Sequence, residues 1–241
     1  MSNLLVEIGN TALKAAWCDG NTLGKIFRYQ GENMISYIIS LTERQQPFVM
    51  TVSSSEVLED ETIARLSKVC GHLIVLDARH TDILMHYNIP DYLSSDRAAS
   101  IIAARFMFER KPCAIFDFGS TLTIDFVDST GRYSGGNVSP GFRTRFKALN
   151  RYSRSLPLVS TPVNADELGS SVESSIESGV VSGIMFEIEG YLRTRPDYIV
   201  IFTGGDAIYF AKKMKNSIFV VCNLVLMGLA LITDEYVRKN I

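Results

Sequence analysis

Two short segments of the chain contain residue types that can bind a phosphate group. Residues 7–11 (Glu-Ile-Gly-Asn-Thr) and residues 117–121 (Asp-Phe-Gly-Ser-Thr) share the order acid, apolar, glycine, small polar, threonine. Glycine lets backbone N–H groups approach an anion closely, and hydroxyl and amide side chains donate hydrogen bonds to phosphate oxygens. A carboxylate at such a turn would repel phosphate unless a cation lies between them. The two segments therefore predict a site for a phosphate tail and its metal ion.

An ordinary β-turn is the simpler interpretation of either segment taken alone, because glycine, asparagine, aspartate and serine are common in turns. The two copies, however, start 110 positions apart in a chain of 241 residues, which is nearly half its length. Each copy follows a buried apolar strand and precedes a second strand. This repetition favours phosphate binding over two unrelated hairpins.

The elements that would position these turns alternate between strands and helices. In the first half, the apolar pattern predicts strands at 4–8, 13–18, 48–52 and 73–76, a hairpin turn at 19–21, and helices at 33–43, 56–69 and 96–110. In the second half it predicts strands at 113–116, 122–127 and 198–202, a further strand reaching 134, and helices at 143–151, 174–193 and 224–238. Proline ends the helix before it, so we place a boundary at Lys111-Pro112. The alternation indicates an α/β fold.

The composition is that of an ordinary globular protein. The net charge is −2 and the sequence pI is about 6.0, so no basic surface for nucleic acid is expected. The four cysteines are far apart and form no Cys-x-x-Cys pair, which argues against structural zinc. The most apolar run, residues 218–232, contains Asn223 and is shorter than the ~20 residues of a membrane span. With no basic and apolar leader at the start, we expect a cytoplasmic protein without nucleic-acid or membrane partners.

The paired turns, read as acid-x-Gly-Asn-Thr and Asp-x-Gly-Ser/Thr-x-x-Thr, resemble the phosphate motifs of the actin, hexokinase and Hsp70 superfamily. That resemblance implies two RNase H-like lobes, at 1–111 and 112–241, with the nucleotide in the cleft between them. Four further segments narrow the resemblance to type III pantothenate kinases. They are Tyr87-x-x-Pro90 followed by Ser95-Asp96-Arg97, Gly-Gly-Asn-Val-Ser-Pro-Gly at 135–141, Thr-Gly-Gly-Asp-Ala at 203–207, and Asn-Leu-Val-Leu-Met-Gly-Leu at 223–229. They keep the family order and cover nearly the whole chain.

The resemblance implies transfer of the ATP γ-phosphoryl group to the primary hydroxyl of pantothenate, which opens coenzyme A biosynthesis. It implies Mg²⁺ and a monovalent cation, K⁺ or NH₄⁺, and a homodimer with the site near the subunit interface. Asp96 would be the general base, and Asp117 would hold the monovalent cation. The positions matching pantothenate contacts are Tyr87, Ser94, Ser95, Asp96, Arg97 and Val172. The positions matching ATP contacts are Glu7, Ile8, Gly9, Asn10, Thr11, Ala12, Leu13, Lys14 and Ser120.

Some of these residues also have plainer interpretations. Asp96 or Ser95 suits a helix N-cap, and Lys14 fits an exposed strand position equally well. The glycines of residues 135–141 would shape a loop near both substrates, or simply a tight turn.

Three positions depart from the family pattern. Glu7 stands in place of aspartate, Ser94 in place of glycine, and Val172 in place of a threonine that contacts pantothenate, where Ser171 could substitute. These departures keep two alternatives open. One is a catalytically weak homologue that acts as a transcriptional accessory factor, and the other is a different small-molecule kinase of the actin-like superfamily.

Overall fold

The computed structural model describes residues 2–240, which form two compact units. Unit 1 consists of two segments of the chain, one that ends at Met107 and one that begins at Asn223. Unit 2 comprises Phe108–Cys222. The elements of unit 1 are β1 Asn3–Ile8, β2 Leu13–Asp19, β3 Thr22–Tyr29, α1 Met34–Thr42, β4 Val49–Ser54, α2 Asp60–Ser67, β5 His72–Leu76, α3 Asp82–Met85, α4 Ser95–Met107 and α8 Leu224–Asn240. The elements of unit 2 are β6 Cys113–Phe118, β7 Thr121–Val127, β8 Tyr133–Pro140, α5 Phe142–Tyr152, α6 Val172–Arg193, β9 Ile199–Gly204, α7 Ala207–Ala211 and β10 Ile218–Val220.

Each unit is built on a mixed five-stranded sheet. The strand order is β3-β2-β1-β4-β5 in unit 1 and β10-β9-β6-β7-β8 in unit 2. The central strand of each sheet, β1 or β6, runs antiparallel to the strand that follows it and parallel to β4 or β9 on its other side. The α/β prediction is therefore confirmed, and both glycine turns leave the carboxyl end of a central strand.

Apolar side chains of the sheets and helices form a separate core in each unit. In unit 1 the central strand buries Leu4 and Val6 against Ile38 of α1 and Leu66 of α2. In unit 2 the core is aromatic, and Phe118 and Phe210 stack with their ring centroids 5.1 Å apart. These buried strands fix the two turns in place. No helix of the described residues is long and apolar enough to cross a membrane.

The helix α8 packs in unit 1, although the sequence suggested that residues 112–241 form one lobe. It crosses α4 closely, because Gly228 has no side chain at the contact. A Cβ atom at Gly228 would lie 1.9 Å from the carbonyl oxygen of Ala99. The chain passes from unit 1 to unit 2 between Met107 and Phe108, four residues before the boundary expected at Lys111-Pro112.

Two further segments differ from the sequence prediction. Residues 135–140, expected to form a turn, belong to strand β8 and pair with β7. Gly136 is required there because a Cβ atom would lie 2.4 Å from the carbonyl oxygen of Ile124. The strand β3 was not predicted, since half of its residues are exposed, none is fully buried and no apolar run marks it. The short elements α3, α7 and β10 span at most five residues, too few to show a periodic pattern.

Candidate active site

The first glycine turn connects β1 to β2 and presents polar groups to solvent. The N–H of Gly9 donates to the carbonyl oxygen of Ala12 at 3.0 Å, which closes the turn. Asn10 and Thr11 at its tip are exposed, and the Oδ1 atom of Asn10 accepts a hydrogen bond from Ser55 at 3.2 Å. The side chain of Leu13 lies in the core, so only its backbone is available to a ligand. Ile8 and Ala12 are half-buried on either side of the turn.

Glu7 and Lys14 lie opposite each other at the base of this turn. They are cross-strand partners in the β1–β2 ladder, and the Lys14 Nζ atom is 3.5 Å from Oε2 of Glu7. Burial raises the pKa of Glu7, while Lys14 opposes that change and the charge of Asp96 adds to it. The Oε2 atom of Glu7 is buried and has no hydrogen-bond partner among the described residues. Beyond its ion pair with Lys14, this buried carboxylate oxygen is suited to a cation or a metal-bound water.

Asp96 lies in the first turn of α4, and its neighbour Ser95 anchors that turn to the sheet. The Ser95 hydroxyl is buried and lies 2.7 Å from the hydroxyl of Ser53, at the end of β4. It also donates to the carbonyl oxygen of Ser54 at 3.3 Å. Because β1 and β4 are parallel neighbours, this anchor brings the start of α4 to the strand end that carries Glu7. Ser95 therefore fixes Asp96 in position, and its own hydroxyl is already engaged.

The residues on either side of Asp96 complete the start of α4. The carbonyl oxygen of Ser94 accepts the first helical hydrogen bond, from Ala98 at 3.0 Å. The non-glycine residues with positive φ among those described are Asn88 and Arg110, so Ser94 takes the place of glycine without backbone strain. The backbone N–H of Arg97 donates to Oδ1 of Asp96 at 2.9 Å.

Tyr87 follows α3 in the same unit and is half-buried. Its hydroxyl donates a hydrogen bond of 2.6 Å to Oε2 of Glu235 in α8. Its backbone carbonyl oxygen accepts one of 2.7 Å from Arg105 in α4. Burial, followed by Glu235, raises the pKa of the Tyr87 phenol well above its ordinary value, so the phenol is protonated at neutral pH.

The second glycine turn connects β6 to β7 in unit 2 and is shorter than the first. The N–H of Gly119 donates to the carbonyl oxygen of Thr121 at 3.0 Å. The carbonyl oxygen of Ser120 accepts hydrogen bonds from Gly141 at 3.0 Å and from the Thr144 hydroxyl at 2.6 Å. A Cβ atom at Gly141 would lie 2.2 Å from the carbonyl oxygen of Gly119, so glycine is needed where α5 begins. The Pro-Gly end of residues 135–141 thus supports the second turn.

Asp117 lies at the carboxyl end of β6, opposite Thr203 of the parallel strand β9. The backbone passes very close to it at Gly204, which has a φ of 88°. A Cβ atom at Gly204 would lie 2.4 Å from Oδ1 of Asp117. The Thr-Gly-Gly segment is therefore part of the wall around this carboxylate. No group of three or more His, Cys, Asp or Glu side chains able to hold a metal ion occurs among residues 2–240. A metal ion here would need most of its ligands from substrate phosphates or water.

Val172 is the first residue of α6 in unit 2, and its side chain is 52% exposed. It lines a groove of about 1180 Å³ together with Leu149 and Tyr152 of α5. The hydroxyl of Ser171 accepts a hydrogen bond of 3.1 Å from the backbone N–H of Ser174, so it caps the helix. Val172 belongs to unit 2, whereas the other positions expected to contact pantothenate belong to unit 1.

Sequence reasoning missed the residues that hold the site in place. Ser53, near the end of the core strand β4, contacts Ser95, and Ser55, directly after that strand, contacts Asn10. They could have been found from the rule that parallel strands carry their sites at the carboxyl ends. Glu235 has no such signal, because 148 positions separate it from Tyr87.

The chain matches known proteins over nearly its whole length. The family model described as type III pantothenate kinase matches residues 3–194. The type III pantothenate kinase of Bacteroides fragilis strain YCH46 is 34% identical over 233 residues, covering 94% of this chain and 95% of that protein. The type III pantothenate kinase of Flavobacterium psychrophilum is 33% identical over 231 residues, covering 94% and 96%.

Solved structures of lower identity share the fold. A Baf family transcriptional activator from Campylobacter jejuni matches with a TM-score of 0.62 at 21% identity, covering 98% of this chain and 99% of that one. The activator of 2-hydroxyisocaproyl-CoA dehydratase from Clostridium difficile, solved with bound ADPNP, matches with a TM-score of 0.59 at 14% identity, covering 100% and 98%. The ROK hexokinase of Thermus thermophilus matches with a TM-score of 0.55 at 11% identity, covering 100% of both chains. These likenesses support the actin-like architecture alone.

Proposed function

Because the chain belongs to the type III pantothenate kinase family, we propose that it transfers the γ-phosphoryl group of ATP to the primary hydroxyl of pantothenate. The product is 4′-phosphopantothenate, and the reaction is the first step of coenzyme A biosynthesis. The observation that carries the mechanism is the placement of Asp96 beside the first glycine turn. Asp96 follows Ser95, whose hydroxyl lies 2.7 Å from that of Ser53, the parallel β-sheet partner of Glu7.

Asp96 acts as the general base in this proposal. Phosphoryl transfer depends mainly on positioning and on neutralising charge, so the base needs above all a fixed position. The buried hydroxyl of Ser95 supplies that position by tying the start of α4 to β4. Asp96 then accepts the proton of the pantothenate hydroxyl as the new bond to phosphorus forms.

The first turn binds the phosphates of ATP through its backbone and side chains. Gly9, Asn10 and Thr11 supply N–H, amide and hydroxyl donors at an exposed tip. Lys14 supplies a positive charge from the next strand. Mg²⁺ bound to ATP would neutralise phosphate charge, and Glu7, which forms an ion pair with Lys14, would hold it directly or through water.

Unit 2 contributes a second carboxylate and a hydroxyl. Asp117 would hold the monovalent cation, K⁺ or NH₄⁺, and the wall that Gly204 forms beside it supports this role. Ser120, on the second turn, would contact the nucleotide. The turn is rigid because its carbonyl oxygen receives two hydrogen bonds from α5 and its cap.

Pantothenate would be bound by Tyr87, Ser94 and Arg97 together with the base, while Ser95 acts through its anchoring bond. Val172 cannot donate a hydrogen bond, and the hydroxyl of Ser171 is used in capping α6. This chain would therefore bind pantothenate with one polar contact fewer than a relative that has threonine at this position. We expect the enzyme to act in the cytoplasm, without nucleic-acid or membrane partners.

We also propose that the protein is a homodimer that associates through α6. One stripe of this helix contains Gly179, Gly183, Phe186 and Gly190, and the Phe186 side chain is 69% exposed. A Cβ atom at Gly179 or Gly190 would meet no atom within 4 Å, so packing within the chain does not require these glycines. Glycine inside a helix costs about 1 kcal/mol relative to alanine, and a second α6 approaching closely would explain the stripe. If the dimer forms through α6, Phe186→Glu should be a monomer in sedimentation velocity. A Phe186→Glu protein that is still a dimer would contradict this proposal.

The activity is tested with purified protein, MgATP, pantothenate and either K⁺ or Na⁺, with product identified by mass spectrometry. We expect 4′-phosphopantothenate, formed faster with K⁺. Asp96→Asn should lower kcat by about 10²- to 10⁴-fold while the circular dichroism spectrum is unchanged. Folded wild-type protein that forms no product at millimolar ATP would refute the function, and near-normal turnover of Asp96→Asn would refute only the role of Asp96.

A further inference from the structure

Tyr87 is held at both ends by two different helices. Its hydroxyl donates a hydrogen bond to Glu235 of α8, and its backbone carbonyl oxygen accepts one from Arg105 of α4. The segment around it is irregular, since Asn88, three residues after the end of α3, takes a φ of 51°. The backbone N–H of Tyr87 donates to the carbonyl oxygen of Leu84 at 3.0 Å, and the contacts with Glu235 and Arg105 tie this local turn to α8 and α4.

The two helices that hold Tyr87 are themselves locked together. Gly228 of α8 packs on the backbone of Ala99 in α4. Glu235 follows Gly228 by seven residues, two helical turns, and so lies on the same side of α8. Asp96 precedes Ala99 on α4. One helix pair therefore sets the positions of both Tyr87 and the base.

The bond between Tyr87 and Glu235 has a fixed direction. A phenol has one proton, and here it is donated to a carboxylate, which can only accept. Lys239, and then Tyr87, lower the pKa of Glu235, so its carboxyl group is ionised at neutral pH. The remaining lone pair of the phenol oxygen is thus available as an acceptor. Polarisation by Glu235 strengthens that acceptor.

We infer that Glu235 is a positioning residue for substrate recognition: it accepts the hydrogen bond of the Tyr87 phenol, so that the phenol oxygen is left to accept a hydrogen bond from an N–H or O–H group of the substrate. This inference rests on the proposed function. Pantothenate carries an amide N–H and a secondary hydroxyl that suit an acceptor, whereas its carboxylate does not. Tyr87 would therefore bind the amide N–H or the secondary hydroxyl of the substrate, and the substrate carboxylate must be bound by other residues.

The test is a double-mutant cycle with Glu235→Ala, Tyr87→Phe and the combined variant. The matched control is Asp234→Ala, which removes the neighbouring carboxylate of α8 that pairs with Arg238 and does not bond to Tyr87. For each protein, the KM for pantothenate, the KM for ATP and kcat are measured. The Kd for pantothenate is measured by calorimetry, so that binding is followed without turnover.

We expect Glu235→Ala to raise the KM and Kd for pantothenate about 5-fold, the effect of one net hydrogen bond, with the KM for ATP unchanged. In the Tyr87→Phe background the same substitution should have no further effect. Three results would overturn the inference: wild-type values in Glu235→Ala, an equal effect in the Tyr87→Phe background, or the same loss in Asp234→Ala.

A spectroscopic titration separates this inference from the proposed function. The absorbance of ionised phenol is followed with rising pH in the wild type and the three variants. Glu235→Ala should bring one phenol ionisation to lower pH, and this change should vanish in the Tyr87→Phe background. If the wild type neither binds nor phosphorylates pantothenate, the proposed function fails and the substrate role of Glu235 fails with it. An active wild type with no effect of Glu235→Ala defeats only the inference.

Discussion

Substituting Gly228 by alanine tests whether the crossing of α4 and α8 positions the site. The new Cβ atom would lie 1.9 Å from the carbonyl oxygen of Ala99 and 2.5 Å from its carbonyl carbon. Real Cβ contacts are essentially never shorter than 3.0 Å, so the two backbones must separate by at least about 1.1 Å. Both of these are backbone atoms of Ala99, which is buried, and backbone atoms cannot avoid a clash by changing rotamer as a side chain could.

The expected cost follows from two opposing terms. Overpacking a well-packed core costs about 1–3 kcal/mol, and backbone obstacles place this site near the upper end. Alanine regains about 1 kcal/mol of helix propensity over glycine. The net loss of unfolding free energy is then about 2 kcal/mol, which corresponds to a fall in Tm of roughly 4–8 °C for a chain of this size. Because Asp96 moves with α4, we also expect kcat to fall by about 100-fold.

Thermal unfolding followed by circular dichroism, together with the kinase assay, measures both effects. The matched control is Gly190→Ala in the Phe186→Glu background, where a Cβ atom meets nothing and association does not contribute. There the same chemical change should raise stability by about 0.5–1 kcal/mol. A Gly228→Ala protein as stable and as active as the wild type would refute the reasoning.

Three further substitutions test other parts of the molecule. Arg145→Ala should lower the unfolding free energy by about 2 kcal/mol in urea titration, because the charge-assisted bond from Arg145 to Glu187 joins α5 to α6. Ser95→Ala should leave Ser53 without its buried partner and lower the unfolding free energy by about 1–2 kcal/mol. It should lower kcat by a larger factor than it changes the KM for either substrate. Asp77 is buried, which by itself raises its pKa, but hydrogen bonds from three backbone N–H groups and one imidazole lower it overall. Its stabilisation is thus complete above the unfolded pKa of about 3.9 and is lost as pH falls through the lower folded pKa. In urea titrations, the unfolding free energy of the wild type should fall below about pH 4. That of Asp77→Asn should be lower than the wild-type value at pH 7 and should change less below about pH 4.

The sequence predicted the parts of the fold that bury regular apolar patterns. The strands β1 and β6 and the helix α4 could be located because their apolar residues repeat at the spacing of their elements. The strand β3 could not, since it lies at the edge of its sheet and exposes half of its residues. The Gly-Gly pair at 135–136 suggested a turn, whereas glycine serves there to let β8 pass close to Ile124.

The candidate site was predictable where its residues are contiguous and unpredictable where they meet through the fold. Both glycine turns were visible as short motifs at the ends of buried strands. The register that sets Glu7 against Lys14 follows from the length of the first turn, which no single motif specifies. The contact between Tyr87 and Glu235 depends on α8 joining unit 1, and the order of residues along the chain suggested that α8 belongs to the other lobe.

The interrupted path of unit 1 has a consequence for how the protein folds as it is made. Residues 108–222, the whole of unit 2, leave the ribosome before α8 does. Unit 2 can therefore fold while the apolar side of α4 still lacks its covering helix. The contacts between α4 and α8 join residues more than a hundred positions apart, and such contacts form late because closing a long loop is entropically costly. The frame that carries Asp96 and Tyr87 is thus completed last, so a nascent chain reaches the active arrangement only after α8 has been synthesised.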